Sequence, residues 1–323
     1  MAPVQCLEWN AAGAARVQGH AGAPQRRRHF RALASTEHKT RAMNITRRTF
    51  SRAVAGTTIW PAAASLVART AQAAPGDAAL QAAIEGAQRS AANRARDAAR
   101  HPLQTLVFFG LAPTQTVIEA SPGAGWYTEI LAPYLRDAGT LWAAGEAADD
   151  PDDYRRRGRR NFDEKLARDP AVYGRVRVGL LPRSPRFTDI APAGGADLVL
   201  TFRNVHNWIE AGHLDDTLRA FHAVLKRGGV LGVEEHRAPP GASLEWIKQN
   251  GYVTEDLLID RAAAVGLRLD ARSEINANPR DSKDHPNGVW SLPPTLRGGE
   301  VDRARFLAIG ESDRFTHRYV KAG

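Results

Sequence analysis

The sequence predicts an α/β fold built around a mostly parallel, doubly wound sheet, and three observations carry this expectation. In Thr116 to Leu131, TVIEASPGAGWYTEIL, the apolar run Val117 to Ala120 gives way to a small-residue turn. Ile130 and Leu131 then resume at helical spacing, so strand, tight loop and helix follow one another. Ala196 to Thr201, ADLVLT, is a near-continuous apolar run of the kind found in a parallel strand covered on both faces. Helix and strand patterns keep alternating through Leu214–Lys226 and Val230–Glu235, and no internal repeat interrupts them.

With 323 residues the chain is long enough for one large domain or two small ones, and 43% hydrophobic content fits a packed core. The net charge of +9 would point to nucleic acid if it lay on the folded body. It does not: residues 1–73 hold 11 of the 44 Lys and Arg but 2 of the 35 Asp and Glu, leaving 33 of each sign in the remainder. That leader contains Thr46-Arg47-Arg48-Thr49-Phe50, a short apolar stretch from Ala53 to Val67, and Ala71-Gln72-Ala73. A basic segment, a short apolar segment and an A-x-A site make a secretory signal, and the paired arginines resemble a twin-arginine signal. The expected partner is then the twin-arginine export machinery and the destination the periplasm. The apolar stretch is too short to span a bilayer. Met43 lies just ahead of the arginines, so residues 1–42 are expected to be an upstream extension, 43–73 the signal and 74–323 the functional domain. The only cysteine, Cys6, falls in the extension, which leaves the domain without a disulfide, a thiolate metal site or a cysteine nucleophile.

Along the domain, Asp77–Arg100 places Leu80, Ala83, Ile84 and Ala87 on one face and is expected to form a helix, closed by His101-Pro102. Leu103–Leu111 follows as an apolar connector, and Leu141–Ala144 reads as the second strand. Asp149–Asp169 interleaves acids with Arg155, Arg156, Arg157, Arg159 and Arg160, the mark of a solvated helix or lid rather than of an RNA surface. Arg175–Val178 alternates as a strand, and a proline-bearing loop spans Gly179–Gly195. Leu214–Lys226 is an amphipathic helix with a C-cap signal in Lys226-Arg227-Gly228-Gly229. Thr254–Val265 reads as a helix capped by Thr254, and Leu267–Ile275 and Arg314–Val320 as strands on either side of a proline-rich insertion, Asn276–Glu311.

Three places carry chemistry. The glycines of Ser121-Pro122-Gly123-Ala124-Gly125 let backbone N–H groups and a helix N-terminus approach a nucleotide-like ligand. The dinucleotide pattern G-x-G-x-x-G wants glycine where Thr128 stands, whereas the looser E/D-x-G-x-G-x-G of S-adenosylmethionine-binding methyltransferases is met by Glu119, Gly123 and Gly125, with Ser121 in place of its first glycine. A carboxylate after the second strand would take ribose hydroxyls; Gly145 holds the usual position and Glu146 follows it. Phe202 to Trp208 gathers polar and aromatic groups at a strand's carboxyl end, and Glu234-Glu235-His236-Arg237 ends the next strand, so His206 and His236 reach the same sheet edge. Either imidazole is suited to take a proton near neutral pH, and Asn204 and Asn207 to orient a ligand. Trp126, Tyr127 and Trp208 are candidates for pocket walls, and core packing is their plainer role. A metal site from His206, His236 and Glu235 lacks H-x-x-x-H spacing and is not expected.

The loop E-x-x-P-G-x-G-W-Y-T, the segment F-R-N-x-H-N-W, the run L-K-x-G-G-x-L-G-V-x-E-H-R, the segment D-x-K-D-x-P with W-x-L-P-P, and the closing G-E-S-D-R-F together resemble a class I S-adenosylmethionine-dependent methyltransferase, and within that class a group of bacterial predicted methyltransferases. The resemblance spans Asp77 to Lys321. It implies a Rossmann-like sheet of seven strands with only the last antiparallel, and S-adenosylmethionine as cofactor. It also implies Glu119, Ser121, Gly123, Gly125, Trp126, Glu146 and Asn204 around that cofactor, and His206, His236 and Asn207 at the reacting methyl group, with a small molecule or an envelope component as acceptor. Two further classes stay open: a nicotinamide-dependent oxidoreductase, and a non-catalytic binding protein that keeps the fold.

Overall fold

The structure is a computed structural model that describes residues 75–181 and 190–323. The leader, with its expected extension and export signal, and the middle of the Gly179–Gly195 loop lie outside the described residues.

One seven-stranded sheet organises the domain: β1 (Thr116–Ala120), β2 (Thr140–Gly145), β3 (Arg177–Leu180), β4 (Ala196–Phe202), β5 (Leu225–His236), β6 (Leu267–Ser273) and β7 (Arg314–Lys321). Their order is β3-β2-β1-β4-β5-β7-β6; β1 to β5 pair in parallel, and β7 runs antiparallel to both neighbours. This is the class I methyltransferase arrangement. Period-2 alternation decides what each strand buries. Val117, Leu198 and Leu200 face one layer with Leu80, Leu106, Phe109 and Ile130. Ile118, Val199, Leu231 and Val233 face the other, with Trp208, Phe221 and Leu258. Each fully buried side chain of this size contributes about 1.5–3 kcal/mol.

Helices α1 (Pro75–Glu85), α4 (Pro102–Phe108) and α5 (Thr128–Leu135) pack on the first face, and the short α2 (Ala91–Arg94) and α3 (Asp97–Arg100) connect α1 to α4. The single helix expected over Asp77–Arg100 is therefore three. Gly86 is a poor helix former, the Arg89 guanidinium donates to the Ile84 carbonyl at 2.9 Å at the end of α1, and Ser90 Oγ caps α2 on the Asn93 N–H at 3.1 Å. The Leu103–Leu111 connector is in fact α4, with Pro102 at the first helical position, where its missing N–H costs nothing.

Helix α6 (Asp153–Arg168) has the solvated character expected, with Arg159 and Asp163 paired at 2.8 Å one turn apart; α7 (Pro170–Tyr173) leads into β3. After β4 the polar cluster forms α8 (Val205–Glu210) rather than an open loop. Helix α9 (Leu214–Val224) runs directly into β5, so Lys226 to Gly229 does not cap it. Gly228, at φ +73°, instead sits where the β4–β5 register slips between Ala196 and Leu198. Helix α10 (Leu244–Asn250) was not foreseen; α11 (Glu255–Ala264) was, although the Thr254 side chain makes no capping bond.

The insertion before β7 is organised by one carboxylate. Asp281 accepts from Tyr252 Oη at 3.1 Å, His285 Nε2 at 2.8 Å, the Lys283 N–H at 3.0 Å and the Asp313 N–H at 2.8 Å. A 3-10 turn (Gly288–Ser291) and α12 (Arg303–Ile309) complete it. Because Arg314 of β7 pairs with His236 of β5, the residues just before β7 are delivered to the carboxyl end of β5.

Candidate functional site

In register, Ala120 lies beside Ala144 and Thr201, and Phe202 beside Glu234, so β1, β2, β4 and β5 end together. The glycine loop leaves β1 at this edge. Gly123 and Ala124 are exposed there, and a Cβ added to Gly123 would meet nothing within 4 Å. Ser121, Gly123 and Gly125 all have positive φ, at +54°, +57° and +75°. Serine thus occupies the left-handed geometry that the absent first glycine would take freely, at a cost of about 1 kcal/mol. It is held by its N–H to the Ala144 carbonyl (2.7 Å) and by Asn204 Nδ2, which donates to the Ala120 carbonyl (3.2 Å), the Ser121 carbonyl (3.4 Å) and Thr201 Oγ1 (3.1 Å). Asn204 therefore fixes the loop to the end of β4. Lys165 of α6 donates to the Ala124 carbonyl at 2.9 Å and to Glu129 at 2.6 Å from the other side.

Glu119 is fully inside, with Thr128 Oγ1 donating to it at 2.6 Å. This gives Thr128, which breaks the dinucleotide pattern, a definite use. Burial pushes the Glu119 carboxyl up to about 7, against the opposing pull of Thr128 and Lys165. Between the ordinary carboxylate value and pH 7 the folded protein holds a proton that the unfolded chain has lost, so stability falls as pH rises through that window and is level above it. Glu119→Gln is expected to unfold at higher urea than the parent at pH 8, by up to about 3 kcal/mol, with the advantage gone at pH 4.

The second half of the site is built on β5. Glu235 is buried; its Oε2 accepts the Val205 N–H at 2.5 Å, and its Oε1 accepts the His236 N–H and faces His206 Nδ1, both at 2.9 Å. A carboxylate whose two oxygens already accept backbone N–H groups is an acceptor toward the ring as well. His206 therefore carries its proton on Nδ1 and presents a lone pair at Nε2. The His236 ring lies 5.2 Å away, centroid to centroid, with its Nδ1 2.6 Å from Ser312 Oγ. Burial holds His236 well below the ordinary imidazole range, and the charges of Arg203, Arg314 and Arg100 deepen that shift. His236, expected to act as a base, is thus neutral and weakly basic. Ligand-capable atoms of His206, Glu235 and His236 lie within 4.8 Å of one another, so the fold brings together the three residues whose spacing in the sequence had argued against a metal site. Both oxygens of Glu235 are engaged, and ligation would cost it those bonds.

Other expected site residues have different surroundings. Trp126 is core: Arg89 and Arg100 stand 4.8 and 4.7 Å from its ring centre, and its indole N–H donates to the Asn93 carbonyl at 3.1 Å. Tyr127 stacks on Phe202 at 3.5 Å and donates to Glu234 at 3.1 Å, and Trp208 packs on Phe221 at 5.5 Å. The plainer packing role holds for all three. Asn207 is exposed on α8 and its side chain has no hydrogen-bond partner among the described residues, so it is not joined to the His206 cluster. Glu146 is half-buried just past β2, its carbonyl accepting from Arg159 at 2.7 Å.

Sequence reasoning missed Ser312, Glu311 and Trp290, the last with its ring 6.1 Å from His206. It also missed the arginines around Glu311, which lies 2.8 Å from Arg96, 3.0 Å from Arg100 and 2.9 Å from Arg314. The G-E-S-D-R run was visible as a motif; its proximity to His236 comes only from the antiparallel pairing of β7.

No protein-family model matches the chain, and no curated protein does. Solved structures share its architecture at low identity. A S-adenosylmethionine-dependent methyltransferase from Aquifex aeolicus superposes with a TM-score of 0.46 and 15% identity, covering 71% of this chain and 93% of its own. Geranyl diphosphate C-methyltransferase from Streptomyces coelicolor does so at 0.46 and 14%, covering 75% and 88%. The [4+2]-cyclase SpnF reaches 0.48 and 16%, covering 74% and 85%. What these comparisons have in common with the chain is the fold, and one of the three is described by a different reaction.

Proposed function

We propose that the protein is a S-adenosylmethionine-dependent methyltransferase acting on a small molecule or an envelope component. The observation that carries this reading is the convergence, at one sheet edge, of an exposed glycine loop free of any Cβ at Gly123 with an imidazole, His206, oriented by a buried carboxylate. The cofactor supplies an electrophilic methyl group on a sulfonium. What remains for the chain is alignment, which is worth about 7–11 kcal/mol in well-oriented systems, and removal of a proton from an oxygen or nitrogen acceptor. His206 Nε2 takes that proton, and Glu235 at 2.9 Å from Nδ1 stabilises the imidazolium that results.

Gly123→Val tests the cofactor half. Nothing in the protein lies within 4 Å of the new Cβ, so the variant is expected to stay folded, losing about 1 kcal/mol to its φ of +57°. Its affinity for S-adenosylhomocysteine, read by calorimetry, is expected to fall sharply; unchanged affinity would place the cofactor elsewhere. The leader is read as a twin-arginine signal on the strength of Arg47-Arg48 and the segments after it. Arg47→Lys with Arg48→Lys is expected to keep the protein in the cytoplasm, and normal periplasmic delivery would refute that route.

A further inference from the structure

The basic cluster beside the two histidines exceeds what the fold needs. Arg96, Arg100, Arg203 and Arg314 gather over the ends of β4 and β5, and their ion-pair partners are Glu234 and Glu311. Arg314 spans both carboxylates, at 3.1 Å from Glu234 and 2.9 Å from Glu311. Glu235, the next residue on β5, points to the opposite face and is spent on His206 and two backbone N–H groups. Even counting it, four guanidinium groups stand against three carboxylates.

The surplus sits on donors that the fold leaves unused. Arg100 is 3% exposed and engages Glu311 only through Nε, at 3.0 and 3.2 Å; its terminal nitrogens bond to no described residue. Arg203 gives only Nη1 to Glu234, at 3.1 Å, and Nη2 of Arg96 is buried with no partner. The two central arginines repel each other: burial first, and then the charge of Arg203, bring Arg100 down to about 9. Arg203 is also held at φ +60°, a conformation a residue with a Cβ adopts only when its surroundings impose it. Unspent planar forks of this kind match a carboxylate or phosphate, which takes two parallel N–H bonds from each. Both Arg203 and Arg100 act on His236, whose ring neighbours His206, so the cluster borders the base, and Asn204, next to Arg203, bonds the glycine loop at the Ser121 carbonyl.

We propose that Arg100 and Arg203 form an anchoring site for an anionic group, a carboxylate or a phosphate, on the methyl acceptor. This rests on the methyl-transfer reading given above and names the substrate class it requires: a compound that carries a negative charge near the nucleophile to be methylated.

The test is calorimetric titration of the full-length protein, saturated with S-adenosylhomocysteine, with inorganic phosphate and separately with malonate. The parent is expected to bind one or both, and the preferred anion identifies the group. Arg203→Met is expected to weaken that binding by about tenfold or more, with Arg203→Lys in between, while affinity for S-adenosylhomocysteine stays within about threefold. Thermal unfolding checks the fold of each variant, and Arg100→Met replaces Arg203→Met if the latter does not fold. The proposal is overturned if the parent binds neither anion, or if the charge-removing variant binds them as the parent does. It is overturned too if the anions displace S-adenosylhomocysteine and both affinities fall together, which would give the cluster to the cofactor's own carboxylate. A parent that binds anions but not S-adenosylhomocysteine would defeat the methyltransferase reading and leave the anion site standing.

Discussion

Replacing His206 by alanine is expected to lower methyl transfer by a factor of about 10²–10⁴, the usual contribution of a positioned general base, with little change in cofactor affinity. The separation of the two effects follows from the site. His206 stands on α8 against Glu235 and His236, whereas the glycine loop is held by Asn204, Lys165 and the Ala144 carbonyl. Glu235 keeps two backbone N–H donors in the variant, so its carboxylate is not stranded. Glu235→Gln is expected to act in the same direction, because one arm of the amide would bring N–H groups against N–H groups. His236→Asn should cost less, since burial already holds that ring neutral and weakly basic. Transfer of a labelled methyl group from S-adenosylmethionine to a cell extract measures all three, and turnover unaltered in His206→Ala would remove the residue from the mechanism.

Glu311→Ala is expected to be the most destabilising single change near the site, by about 3–5 kcal/mol, because it strips the partner from Arg96 and Arg100 and one of two from Arg314. Burial by itself would raise the Glu311 carboxyl; Arg100, Arg314, Arg203 and Arg96 outweigh it and bring it down to about 2. The sign follows from proton linkage. The folded state resists protonation that the unfolded chain accepts, so the contribution is complete above the ordinary carboxylate range and is lost as pH falls toward 2. Urea midpoints at pH 7 and pH 3 measure it: the gap between parent and Glu311→Ala should be wide at the first and narrower at the second. Equal midpoints at pH 7 would show that the arginines find other partners.

The sheet was legible because burial on two faces forces long apolar runs: ADLVLT and TVIEA are β4 and β1 within a residue or so. The glycine loop was legible because its conformation excludes most side chains, and even the departure at Ser121 falls where φ is positive. The N-terminal helix was misjudged, since its apolar spacing says nothing of an arginine side chain closing α1 from five residues on. The surroundings of Trp126 were illegible for a related cause: an aromatic beside a glycine loop looks the same in sequence whether it faces solvent or two guanidinium groups. Least legible was everything contributed by the insertion. Ser312 reaches His236, and Glu311 reaches Arg96 and Arg100, only through the antiparallel return of β7 and the bond from the Asp313 N–H to Asp281. The meeting of His206 and His236 was legible, because two consecutive strands end at one sheet edge with a histidine beside each; the bond from Glu235 to His206 was not, since no local motif connects them.

The central claim is that a sulfonium-bearing nucleoside lies over the Ser121–Gly125 turn, within reach of His206. Calorimetric titration of the full-length protein with S-adenosylmethionine, S-adenosylhomocysteine and NAD tests it most directly. The account predicts saturable binding of the first two, lost in Gly123→Val, and no binding of NAD. Absence of binding by both sulfur nucleosides, or a preference for NAD, would contradict it.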